Sequence, residues 1–408
     1  MLLLLLLALP SLPGLGAAQQ AGTVTTERHP KLAWKHCISP GTCLTLEGEL
    51  TIDSNWRWTY DRETYDDCYS PSSGWNSAVC TDGRGCADRC ALDGVDNYAE
   101  RFGVFTCRDS VMLEFTNAGD EAVNIGSRMY LMATPTKYQT FSLLGNELTF
   151  DVDTSRLGCE MNGALYFVAM DEDGGMAKYP GNKAGAKYGT GYCDARCPRG
   201  ARFVNGEANL GSQGVRTGRD GSCCAEIDVW HGNVVSTTFS AQSCRTSGQG
   251  TCEGNDGCNT AIKGCDENAI TFRSSLYGPS RGHIIDSTRR LTVVTRFVPG
   301  PNNTLAEIQR VYVQDGLGVS EIVAEQSNPK QLGNTLSQPM VLAMAVWDDY
   351  HANVLWRDSA ATGLVDGECE MTAGAPSEIE LEDHIGGGNY VVFSNIRFGP
   401  IGSTLRLT

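Results

Sequence analysis

Positive charge and histidine are both scarce in this 408-residue chain: 32 Lys and Arg stand against 48 Asp and Glu, a formal net charge of −16, with 6 His. A surface of that sign does not attract nucleic acid or anionic membranes, so neither is expected as a partner, whereas a neutral polymer such as a polysaccharide fits. So few histidines also make zinc a poor explanation for the cysteines. Beyond residue 18 no apolar run approaches the roughly 20 residues that a spanning helix requires. An internal period of about 20 to 50 residues, a low-complexity linker and a Ser/Thr/Pro-rich stalk are all missing, which argues against repeat architectures and against an appended binding module. The sequence therefore reads as one domain over residues 19–408. Helical amphipathicity is scarce too: "TLAEIQRV" (304–311) is the one candidate, and it reads better as the approach to a strand.

What is present begins with "MLLLLLLALPSLPGLGAA" (1–18), a leucine run followed by small residues, too short and too broken by Pro and Gly to span a bilayer. It predicts a signal peptide cut near Ala18, although the basic residues that usually open one are absent. The chain carries 17 cysteines. Behind such a leader they imply an oxidising, extracellular compartment and a disulfide framework, with one thiol left over. "NNT" at Asn302 is the single N-glycosylation sequon, meaningful because export is expected. No metal or organic cofactor is indicated.

Short β-rich runs recur along the chain: "VMLEF" (111–115), "RMYLMA" (128–133), "ALYFVAM" (164–170), "EIDVW" (226–230), "LTVVTRFV" (291–298), "RVYVQ" (310–314), "MVLAMAVW" (340–347) and "YVVFSNIRF" (390–398). Gly, Asn, Asp and Pro clusters separate them. The pattern predicts an all-β domain of two packed antiparallel sheets.

One run carries chemistry. Glu226 and Asp228 in "CCAEIDVWHGN" (223–233) stand two apart, so on a strand they share a face, roughly 6.5 to 7 Å apart at the backbone. Like charges at that range raise one pKa, and a carboxyl kept protonated can orient its ionised neighbour as a nucleophile; an ordinary acidic edge is the other reading. Strict alternation puts Trp230 on that same face, where its ring would stack on a sugar.

The segments "SNWRWTYD", "LLGNELTFDVD", "CEMNGALYFVAMDEDGGMAKYP", "NKAGAKYGTGYCDARCP", "CCAEIDVW", "LTVVTRF", "WDDYHANVLW" and "FSNIRFGPIGST" occur in that order between residues 19 and 404. Their ordered combination resembles glycoside hydrolase family 7, the cellobiohydrolases and endo-1,4-β-glucanases. The resemblance implies a concanavalin A-like β-sandwich, or jelly roll, with a long cleft on its concave sheet and a retaining mechanism on β-1,4-glucan. The family strand reads E-x-D-x-x-E: Glu226 matches the nucleophile and Asp228 its assistant, but His231 occupies the acid/base position. Retention needs a second group to protonate the leaving oxygen and then deprotonate water. Such help is typically worth about 10² to 10⁴ in rate, so impaired hydrolysis is expected. Histidine in general titrates near 6.5 and can cycle protons. Gln242 and Arg196 replace a histidine and a glutamine that are common in the family.

By the same resemblance Trp56, Trp58, Trp347 and Trp356 are sugar platforms, since aromatic faces pack on the apolar face of glucose, and Trp34 is a core residue. Arg128, Asn162, Tyr166, Tyr192, Asp194, Gln242 and Arg273 are polar cleft contacts. The implied disulfides join Cys37 with Cys43, Cys68 with Cys90, Cys80 with Cys86, Cys159 with Cys369, Cys193 with Cys224, Cys197 with Cys223, Cys244 with Cys265, and Cys252 with Cys258. Cys107 is left free, and a further amino-terminal bridge of the family is lost at Gly22 and Ala91. Segments 209–222, 252–273, 315–340 and 358–369 are short for cleft-covering loops, which implies an open groove and internal attack. The expected protein is a secreted, monomeric β-1,4-glucanase. A non-hydrolytic glucan-binding protein of the same fold is the alternative. A weaker one is the sister family 16, which shares E-x-D-x-x-E and acts on mixed-linkage or β-1,3-glucans.

Overall fold

The computed structural model describes residues 19–405 apart from 119–122, 212–217, 245–246, 259–264, 266–269, 280–281, 324–328, 349–368, 370–379, 381–382 and 385–387. The expected leader lies outside the described residues. Hydrogen bonding runs through a 17-stranded sheet folded into two layers. In the inner layer, Thr42–Ile52 pairs with Ser127–Thr134, which pairs with Met340–Asp348 and then Met161–Val168. Glu226–Gly232, Thr237–Gln242 and Ile270–Arg273 complete that layer, all antiparallel. The outer layer runs from Val104–Cys107 and Ser110–Glu114 through Tyr390–Pro400, Asn146–Asp153, Leu291–Pro299 and Leu305–Gln314 to Leu317–Val323. Lys31–Ser39 belongs to both layers: antiparallel to Thr42–Ile52 and, over Lys35 and His36, parallel to Tyr390–Pro400.

Apolar faces meet between the layers. Phe141 packs edge-on against Phe398 and Phe167, and Phe150 against Trp230 and Phe393. Gly163 allows the closest approach, since a Cβ there would stand 2.8 Å from Val391 Cγ2 of the other layer. Trp34 is buried in this core, as expected. The β-branched and aromatic content of the predicted runs explains why they are strands, and the 304–311 segment also lies almost entirely in one, Leu305–Gln314.

Several elements went unpredicted, among them Val104–Cys107, Asn146–Asp153, Thr237–Gln242 and Ile270–Arg273. Lys31–Ser39 and Thr42–Ile52 form a hairpin with exposed residues on both faces near its turn, Leu44 and Leu46 among them, which hides the alternation. Segment 315–340 is not simply a cleft loop: it turns at Asp315 and Gly316 into the edge strand Leu317–Val323, and after residues outside the description it forms the helix Pro329–Leu336. Among the described residues no helix is long and apolar enough to cross a membrane.

All eight expected disulfides are present, and Cys107 is free and exposed. Near Gly22 and Ala91 the backbone joins the two segments: Gln20–Ala21 pairs parallel with Cys90–Leu92 and the Gly22 N–H donates to Leu92 O at 2.6 Å. Asn302 is exposed in the turn Pro301–Asn303, an accessible position for a glycan. The Cys159–Cys369 bridge closes a loop of sequence separation 210. Replacing both cysteines with Ser is expected to lower unfolding free energy by about 2–5 kcal/mol, because the denatured chain regains that loop's freedom; urea unfolding of the two proteins measures it.

Candidate active site

The hairpin of Glu226–Gly232 and Thr237–Gln242 forms one part of the cleft floor. Its register is irregular at one place: Leu165 opposes Trp230 while the next residue, Tyr166, opposes Asp228, and Asp228 and His231 oppose Ser240 and Thr238. Val229 is the extra residue of a β-bulge. In a regular strand position 231 would face the core and position 230 the groove. The bulge reverses that order. His231 joins Glu226 and Asp228 on the groove side, and Trp230 turns inward, fully buried between Phe150 and Tyr277. The expectation that Trp230 stacks on a sugar is therefore overturned, because one inserted residue changes the parity of everything after it.

A bulge leaves backbone polar groups outside the ladder. The Val229 carbonyl accepts from the Arg310 guanidinium, which reaches across from the other layer and is fully buried. Arg310 lies beside the rings of Trp230, Phe239 and Tyr312, 5.4–5.9 Å from their centroids. Nothing in the local sequence marked Arg310.

On the groove side three carboxyls converge. The Ala195 N–H donates to Glu226 Oε2 at 3.3 Å. Tyr192 Oη donates to Asp194 Oδ2 at 2.9 Å, and the Arg196 N–H to Asp194 Oδ1 at 2.8 Å. Ser240 Oγ donates to Asp228 Oδ2, and His231 Nε2 stands 3.1 Å from Asp228 Oδ1. Burial, followed by the charges of Asp228 and Asp194, pushes the Glu226 carboxyl well above its usual range. Burial works to raise Asp228 as well, but the His231 ring, Ser240 and a hydrogen bond from Glu226 outweigh it and hold Asp228 low. Burial also raises Asp194. The carboxyls thus divide, Glu226 drawn toward the protonated form and Asp228 toward the ionised one.

These groups line a groove pocket of about 420 Å³ together with Trp56, Arg128, Tyr166, Tyr192, Arg196, Gln242 and Trp347. Asp53 holds Arg128, 2.9 Å from Nη2, and the guanidinium lies 3.4 Å from the Tyr192 ring centroid. The His231 ring meets Trp347 and Tyr166 edge-on, at 6.0 and 6.2 Å between centroids. Other expected contacts lie elsewhere. Trp58 stands outside this pocket, its indole N–H donating to Asp67 and its ring stacked on Tyr60. Asn162 is fully buried opposite Trp347, and Arg273 lies opposite the pocket residue Thr238. Trp356 lies outside the described residues. Ser127, Thr238, Ser240, Thr271 and Ala345 also line the pocket. Sequence reasoning missed them: for Ser240 only the hairpin register, which sets it opposite Asp228, was a signal. The close cysteine groups, Cys68 with Cys80 and Cys90 and Cys197 with Cys223 and Cys252, are all disulfide-bonded and so have no thiolate to offer a metal.

A β-sandwich whose inner sheet presents paired, buried carboxyls in a tryptophan-walled groove has the architecture of a glycosidase. The family model for glycosyl hydrolase family 7 matches residues 21–329 and 317–405. A family 7 cellobiohydrolase from Daphnia pulex is 35% identical with a TM-score of 0.87, over 95% of this chain and 100% of that one. A cellobiohydrolase from Melanocarpus albomyces, solved with cellotetraose, is 38% identical with a TM-score of 0.85, over 95% and 99%. The Humicola insolens endocellulase is 30% identical with a TM-score of 0.80, over 95% and 100%. The chain belongs to glycosyl hydrolase family 7.

Arg310→Met removes the donor to the Val229 carbonyl and leaves a buried acceptor unsatisfied. A loss of about 1–3 kcal/mol in unfolding free energy is expected, read by urea titration.

Proposed function

We propose that the protein is a secreted, monomeric retaining β-1,4-glucanase in which Glu226 is the nucleophile, Asp228 its assistant, and His231 takes the acid/base position with reduced efficiency. The observation that carries the reading is the bulge at Val229, which sets all three side chains on one groove wall between Trp56 and Trp347. Glu226 gives up its proton to solvent and attacks the anomeric carbon as a carboxylate, with Asp228 beside it as assistant; His231 donates to the leaving oxygen and then accepts from water. The shortness of segments 209–222 and 252–273 supports an open groove gripping a glucan internally; segment 358–369 lies almost wholly outside the described residues. The leader and the disulfide framework support export.

A second reading rests on the contact of His231 Nε2 with Asp228 and on the ring's confinement by Tyr166 and Trp347. Histidine so held fills the site without cycling protons, and the groove binds glucan unhydrolysed. An aryl β-cellobioside with a good leaving group separates the two. Its first step needs little acid, so the enzyme reading expects a burst of phenol followed by slow turnover, faster in His231→Glu by about 10² or more. No burst from either protein, with cello-oligosaccharides still bound, would establish the binding-protein reading.

The raised Glu226 pKa has its own signature. Only the ionised carboxylate attacks, so trapping by a fluorinated β-cellobioside should accelerate with rising pH through a midpoint above the ordinary 4.5. A midpoint at or below that value in a pH series of inactivation rates would contradict the proton assignment.

A further inference from the structure

The second half of a double displacement needs an acceptor, and the groups around Glu226 bear on which acceptor succeeds. Water must be deprotonated as it attacks. Here the group expected to do so, His231, has Nε2 against Asp228 Oδ1 at 3.1 Å and its ring enclosed by Tyr166 and Trp347. An acceptor that is already an anion requires no base. What usually excludes anions from such a site is the carboxylate in the acid/base position, and this chain has an imidazole there instead.

The opposite wall adds an attraction. The Ala195 N–H touches the nucleophile at 3.3 Å, and the next residue, Arg196, is fastened through its own N–H to Asp194 at 2.8 Å. Its exposed side chain lines the same pocket as Glu226 and His231. Arg128, the other cation of the pocket, is tied to Asp53, whereas no ion pair to the Arg196 guanidinium occurs among the described residues. Gln242, also in the wall, is neutral. When Glu226 is esterified by the sugar it carries no charge, the Asp228 carboxyl is faced by His231 and Ser240, and the Asp194 carboxyl accepts from Tyr192 Oη and the Arg196 N–H. The net charge of −16 is spread over the chain and screened within about 8 Å at physiological salt, so the local cation governs the last approach.

We propose that the glycosyl group held on Glu226 is transferred to a small oxyanion, inorganic phosphate being the probe of choice, so that the site carries out phosphorolysis as well as slow hydrolysis. The step balances without a base. An oxygen of hydrogen phosphate dianion forms the bond to the anomeric carbon while the bond from that carbon to Glu226 breaks. Glu226 leaves as carboxylate, and the product is a glycosyl phosphate monoanion of retained β configuration. No proton moves. Arg196 is a binding residue for the acceptor.

The proposal rests on Glu226 acting as nucleophile, and the experiment keeps the two apart. The full-length purified protein is given an aryl β-cellobioside with and without inorganic phosphate, with sulfate at matched ionic strength as control. The expected result is an unchanged burst, steady-state phenol release faster by about tenfold with phosphate but not sulfate, and a cellobiosyl phosphate signal by phosphorus NMR. Arg196→Gln should weaken the phosphate response severalfold, and His231→Glu should divert product to cellobiose. A burst without phosphate acceleration or sugar phosphate overturns the inference while leaving the glycosidase reading intact. An equal response in Arg196→Gln removes the assigned acceptor site, and absence of the burst removes the glycosidase reading itself.

Discussion

The hydrogen bond from buried Arg310 to the Val229 carbonyl meets the main unsatisfied need of the bulge, and the bulge decides what faces the groove. A strand alternates, so three residues at offsets of zero, two and five cannot share a face without an inserted residue. The insertion strands a carbonyl, and the guanidinium reaching from the opposite sheet accepts burial among Trp230, Phe239 and Tyr312 to satisfy it. The site is thus held from behind by the core.

Electrostatics then divide the acids by environment. Glu226 and Asp228 stand on one strand and are both buried, yet their neighbours differ: Glu226 faces two other carboxyls, offset only in part by the Arg196 charge and a weak backbone donor, while Asp228 has His231 and Ser240. The two acids are pulled in opposite directions, Glu226 toward holding its proton and Asp228 toward losing it. Residue 231 therefore matters beyond its own proton, since a carboxylate there would replace the contact of His231 with Asp228 by a like charge and make the groove more negative.

Much of this was legible in sequence. Alternating and apolar runs identified about half of the strands of the two layers, and the spacing of Glu226 and Asp228 showed a shared face. Position 231 became interpretable only through the family resemblance, because periodicity assigns it to the wrong side. Trp230 was misread for the same reason: a bulge is one residue of irregularity with no composition of its own. Arg310 and Ser240 were invisible because their roles come from strand pairing and sheet packing, between residues distant in sequence. The hairpin from Lys31 to Ile52 escaped because residues on both of its faces are exposed near the turn.

The strand Lys31–Ser39 gives the sandwich a spine, bonded on one side to the inner layer and on the other to the outer. Two leaves joined along a hydrogen-bonded edge cannot slide past each other as separate plates. The groove lies on the face of the inner leaf turned away from the outer one, so a change in its lining need not part the layers.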